Sequence, residues 1–197
     1  MTASITRYLR NASLILGLWC ATALCVFADT LPASRAEAEL AGDGQLSVST
    51  RFQVKLPPAL SDALEQGITL PFRLDVEITK PRLLAYRLSL SQWFEPHASL
   101  SFKLSFQALT NRYRVTIGSL SRYYNSLPEA LSAVGSISGW RVLDPGALNG
   151  LTPRDVEARV RLSLDIGELP KPFQLNALGS SEWGLASGWV NLGMKGG

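Results

Sequence analysis

The stretch Leu100-Ser101-Phe102-Lys103-Leu104-Ser105-Phe106, followed by Ala108-Leu109-Thr110-Asn111 and then Arg112-Tyr113-Arg114-Val115-Thr116-Ile117, decides the fold. Apolar and polar residues alternate on both sides of a short break. Successive side chains of a strand point to opposite faces, so this is the spacing of strands with one face buried. A four-residue loop over Ala108 to Asn111 pairs Phe106 with Tyr113, Leu104 with Val115 and Phe102 with Ile117, all on one face. Lys103, Arg112 and Arg114 then share the other face. A parallel sheet covered on both sides would read as unbroken apolar runs, so the stretch predicts an antiparallel hairpin.

The same alternation recurs outward from this hairpin. It runs through Leu46, Val48, Thr50, Phe52, Val54 and Leu56, through Leu70 to Ile78, through Leu84 to Leu90, and through Val156 to Ile166. A turn at Gly42-Asp43-Gly44 sets Leu40 opposite Leu46 and Ala38 opposite Val48, with Glu39 and Glu37 opposite serines on the wet face. Two short helices interrupt the strands. One runs from about Pro58 to Gln66, with proline in its first turn and Gly67 as its stop. The other starts with Ser126 as N-cap and Glu129 three residues on, a capping box, and continues through Ala130, Leu131 and Val134 toward Gly139. The two helix starts resemble each other at an offset of 71 residues, from a shared helix-start pattern or from a duplicated strand-helix-strand unit. Pro170 and Pro172 suggest an extended path, Trp183 and Trp189 a docked tail, and Met194 to Gly197 a frayed end. The expected fold is a single α+β domain over residues 29–197, predominantly antiparallel β. Its architecture is a sandwich or curled sheet with two short covering helices, and a closed barrel is the alternative.

Residues 1–28 carry Arg7 and Arg10, an apolar run from Ala12 to Ala28, and Val26-Phe27-Ala28 before Asp29. This is the pattern of a cleaved export signal, which predicts a periplasmic protein. An uncleaved inner-membrane anchor facing the periplasm is the alternative, because the 17 residues from Ala12 to Ala28 just reach the length needed to cross a bilayer. Cys20 and Cys25 both lie in this segment, so the remaining chain has no disulfide, thiol nucleophile or thiolate ligand.

Chemistry is sparse. The single histidine, His97, sits in Trp93-Phe94-Glu95-Pro96-His97. A hydrolase reading pairs it with a serine and Glu95, but no Gly-x-Ser-x-Gly elbow occurs, so the sequence assigns no catalytic residue. One histidine and no cysteine beyond residue 28 do not make a zinc ligand set, and no calcium-loop or phosphate-cradling motif occurs, so no metal and no cofactor are expected. Asp75 and Glu77 share a strand face with Arg73, and Glu157 and Asp165 share one with Arg159 and Arg161; such mixed charges read as solvated outer faces. The charge asymmetry lies between residues 80 and 124, where seven basic residues meet one acid, Glu95. From these, Arg87, Lys103, Arg112, Arg114 and Arg122 form a candidate basic binding face for an envelope protein or an anionic lipid surface. Nucleic acid is not an expected partner, because the segment is exported and its aromatics face inward.

The run Leu169-Pro170-Lys171-Pro172-Phe173-Gln174-Leu175-Asn176-Ala177-Leu178, with Trp183 and Ser187-Gly188-Trp189, resembles the C-terminal signature of a proteobacterial family, domain of unknown function 4390. Ser126 to Leu131 and Gly139-Trp140-Arg141-Val142 resemble its central helix and following strand. The resemblance implies an N-terminal export signal and a frequent gene neighbour, a membrane sensor kinase of the nitrogen-regulation type. It carries no activity or site residues. The expected function is a non-enzymatic periplasmic binding or interaction protein of unknown specificity, and the resemblance adds an accessory role in envelope signalling with such a kinase as partner. The alternatives are a carrier of a lipid-like ligand and a hydrolase using His97.

Overall fold

Each alternating run within the described residues forms a strand with its apolar set turned inward, although the run from Leu46 stays a strand only to Phe52 and the run from Val156 only over Glu157–Leu164. The computed structural model describes residues 31–80, 97–179 and 181–196. The expected strand over 84–90, Arg87 and the export segment lie outside the described residues.

The chain begins with the hairpin β1 (Ala33–Leu40) and β2 (Leu46–Phe52). Leu40 is opposite Leu46 and Ala38 opposite Val48, as the turn parity requires. Helix α1 (Pro58–Glu65) buries Leu60, Ala63 and Leu64 and leads to β3 (Leu70–Lys80). The deciding hairpin is β4 (His97–Gln107) and β5 (Arg112–Ile117), with the expected register Phe102↔Ile117, Leu104↔Val115 and Phe106↔Tyr113. Strand β6 (Leu120–Tyr124), helix α2 (Leu127–Gly135) and β7 (Ser136–Arg141) follow. Then come β8 (Glu157–Leu164), helix α3 (Lys171–Gly179), β9 (Val190–Asn191) and β10 (Gly193–Gly196).

The strands form two separate sheets rather than a closed barrel. The smaller has the order β10-β1-β2-β7 and the larger β6-β5-β4-β3-β8-β9. Every pairing is antiparallel except β1 with β10. The fold is thus an α+β sandwich. Phe72 and Phe102, opposite each other on β3 and β4, are the largest fully buried side chains; full burial of one such ring stabilises by about 2–3 kcal/mol. Among the described residues the buried core runs from Leu31 to Leu192, so the described part carries a core of its own.

The capping box forms as read. Ser126 Oγ accepts from the Glu129 N–H at 3.4 Å, while Glu129 Oε2 accepts from the N–H of Asn125 at 3.3 Å. The helix stops at Gly135 rather than near Gly139. Gly139, at φ 65°, instead sits in a bulge of β7, where two residues (Ser138 and Gly139) stand against one on β2 (Ser49). Helix α1 carries the chain from the smaller sheet to the larger and α2 carries it back, so the 71-residue likeness joins units that cross in opposite senses.

The tail differs from expectation in two places. Pro170 and Pro172 open helix α3 instead of an extended path, because a first-turn proline gives up no helical hydrogen bond. The Gln174 amide Nε2 donates to the carbonyls of Gly167 and Leu169 at 2.8 and 2.7 Å, which fixes the turn. Residues Gly193–Gly196 do not fray but pair in parallel with β1, and Lys195 Nζ lies 2.8 Å from Glu37. The tail is docked: Trp183 is buried against Phe173 at 5.7 Å, and Leu185 and Ser187 are buried.

Candidate functional site

The β5–β6 ribbon ends the larger sheet, and its inner face looks onto helix α2 and the start of β7. The two-residue connection Gly118-Ser119, with Gly118 at φ 57°, sets Ile117 opposite Leu120 and Val115 opposite Arg122. Tyr113, Val115 and Ile117 of β5 therefore share a face with Tyr124, Arg122 and Leu120 of β6. Helix α2 covers this face in part, and a cleft of about 490 Å³ remains between the ribbon and Ala133, Ser136, Ile137 and Ser138. Its size falls in the range of small-molecule sites.

The cleft walls are mostly apolar, with Ser136, Ser138 and Tyr124 among them, and the one charge is Arg122. Val115 is buried, Ile117 and Ile137 are half-buried, and Leu120 stands 73% exposed at the rim. Arg122 has no hydrogen-bond or ion-pair partner among the described residues. An exposed leucine beside an unpaired guanidinium suits a ligand with an apolar body and an anionic end.

The expected basic face is divided. Lys103, Arg112 and Arg114 lie on the outer face of the larger sheet as the register predicts, while Arg122 is on the opposite, inner face. Lys103 pairs with Glu168 at 3.6 Å, Arg112 Nε donates to Asn125 Oδ1 at 3.1 Å, and Arg114 Nε donates to Ser105 Oγ at 3.3 Å. The signal that places Arg122 was in the sequence: Gly118-Ser119 is a two-residue hairpin turn, and counting through it reverses the parity.

Farther along the outer face, β3 and β8 carry three crossed pairs: Arg73 with Asp165, Asp75 with Arg161 at 3.1 Å, and Glu77 with Arg159 at 2.7 Å. Trp189 lies over both Arg159 and Arg161, with centroid distances of 4.6 and 4.7 Å. Under this cover Asp75 is only 5% exposed, so one member of a face read as solvated is buried. His97 Nε2 is 4.0 Å from Asp75 Oδ1, with its side chain 57% exposed. Among the described residues no hydroxyl is hydrogen-bonded to His97, so the imidazole and its acid are not joined to an oriented nucleophile. Among the same residues no three His, Cys, Asp or Glu side chains form a metal-binding group, and no helix is long and apolar enough to cross a membrane.

The family described as Domain of unknown function (DUF4390) matches residues 28–192. No curated protein and no solved structure matches the chain.

Proposed function

This chain belongs to the DUF4390 family, and from that premise we propose that it is an exported, non-enzymatic binding protein of the cell envelope whose site is the cleft under the β5–β6 ribbon. The observation that carries the reading is the pairing of mostly apolar walls with a single cation, Arg122, that has no partner among the described residues. The ligand class is a single-chain anionic amphiphile. Its carboxylate or phosphate takes the Arg122 guanidinium, and its chain lies along Val115, Ile117, Leu120 and Ile137. Lys103, Arg112 and Arg114 are weaker candidates, because a partner would first have to displace groups that already hold them. Export rests on the residues from Arg7 to Ala28. An envelope-signalling role, with a membrane sensor kinase as partner, would follow if the kinase read the loaded state.

The test is titration with 11-(dansylamino)undecanoic acid, followed by fluorescence. Uptake should saturate at one equivalent. Charge-assisted hydrogen bonds contribute about 1.5–3 kcal/mol, so Arg122→Gln should weaken binding at least about tenfold. Leu120→Ser, at an exposed rim, should weaken it less and leave the fold unchanged by circular dichroism. Absence of saturable uptake, or equal uptake by wild type and Arg122→Gln, would overturn the reading.

A further inference from the structure

A second apolar groove, of about 520 Å³, lies at the end of the sandwich where the chain enters it. It is lined by Phe52, Val54, Leu56, Pro128 and Leu131, with Arg51, Gln53, Lys55 and Ser132 at its edges. The end of β2 and the segment after it supply the alternation. Phe52 and Val54 are buried, while Arg51, Gln53 and Lys55 are exposed.

Three observations bear on what covers this groove. First, Arg51 is opposite Arg35 across β1–β2, a like-charge pair that costs stability in a sheet unless something neutralises it. Arg35 is neutralised by Glu37 at 2.6 Å. The side chains of Arg51 and Lys55 have no partner among the described residues. Second, the groove is mostly apolar, so a purely aqueous counterion would leave it uncovered. Third, Leu31 and Pro32 lie beside it. Leu31 is fully buried, and the Gln53 N–H donates to the Pro32 carbonyl at 2.9 Å. Ala28 stands three positions before Leu31, a reach of at most about 11 Å. If the apolar run of residues 12–28 is kept as the alternative membrane anchor, the bilayer that holds it is tethered within about that reach of Leu31.

We propose that this end of the domain is its membrane-facing end, with Arg51 and Lys55 on anionic headgroups and the groove against the bilayer interface. Cations flanking an apolar surface match both layers of that interface, the charged headgroups and the upper acyl region. The occupant is thus an anionic bilayer, at a place distinct from the cleft containing Arg122 and independent of that cleft's ligand.

The test uses residues 29–197, which contain the whole described core, and vesicles of phosphatidylethanolamine and phosphatidylglycerol compared with phosphatidylcholine alone. Sedimentation should retain the protein on the anionic vesicles. One basic residue near such a surface is worth about fivefold in partitioning, so Arg51→Gln with Lys55→Gln should reduce retention about 25-fold, and Arg122→Gln should leave it unchanged. The segment contains no cysteine, so a polarity-sensitive dye on Ser132→Cys can report contact. It should shift to the blue on anionic vesicles, and a dye on Ser101→Cys of β4 should not. Equal retention of wild type and the double variant, no retention at all, or no shift at position 132 would overturn the proposal.

Discussion

Asp75 illustrates how a register position changes the meaning of a charge. In sequence it belongs to an alternating set with Arg73 and Glu77 that reads as an outer, wet face. In the fold it is buried under Arg161 and the Trp189 ring, while its neighbour Glu77 stays half-exposed in its pair with Arg159. Removing one member of a buried pair leaves the other charge uncompensated, whereas a solvent-facing pair contributes at most about 1 kcal/mol. Asp75→Ala is therefore expected to cost about 2 kcal/mol, discounted because Arg161 retains access to water, and Glu77→Ala less than half of that. Urea midpoints decide it, and equal losses would show that burial of Asp75 has no energetic consequence. Arg122 makes the complementary point. Its side of the sheet was legible from Gly118-Ser119, but its lack of a partner was not, since that depends on what α2 and β7 place across the cleft.

At the scale of elements, helix α2 was legible at its start and not at its end. The capping box is local, confined to Asn125, Ser126 and Glu129, so sequence spacing finds it. The stop at Gly135 is set from outside the helix. A Cβ there would lie 2.4 Å from the Phe52 carbonyl oxygen and 3.0 Å from Val54 Cγ2, so the helix end packs directly on β2. Gly135→Ala should destabilise the fold by about 2 kcal/mol through overpacking, seen as a melting temperature lower by roughly 4–8 °C. An unchanged melt would show that β2 yields without cost. The same distinction explains α3. Its two prolines fit a helix start as well as an extended path, and the choice depends on the carbonyls of Gly167 and Leu169 that Gln174 binds.

Across the whole molecule, the edges of the two sheets determine what stays open. β10 closes the β1 edge, while β6 and β7 end their sheets on the side of the cleft. The closure by β10 includes a charge clamp: Glu37 is held below its ordinary value of 4.5 by its hydrogen bond with Lys195 and then by that with Arg35. A carboxyl lowered in the folded state contributes fully above its unfolded value and loses that contribution as pH falls through the folded one. Acidification from pH 5 to pH 3 should therefore lower hydrogen-exchange protection factors in β10 before those in β8. Glu37→Gln should show the loosened β10 already at pH 6. If β10 and β8 lose protection together in both proteins, the clamp is not what holds the strap.

The sequence by itself determined β1 to β5 and β8 in outline, their inward faces, two hairpin registers and the two helix starts, because each rests on alternation, turn length or capping over a few neighbouring residues. Tertiary structure alone decided that the strands divide four and six between sheets. It also decided that Gly135 ends a helix against β2, that residues 193–196 return to β1, and that Arg122 faces an unfilled cleft. The physical reason is range. Alternation fixes which side of a strand is apolar, but the neighbours across the core come from distant segments, and only their packing sets which apolar faces are covered and which charges find partners.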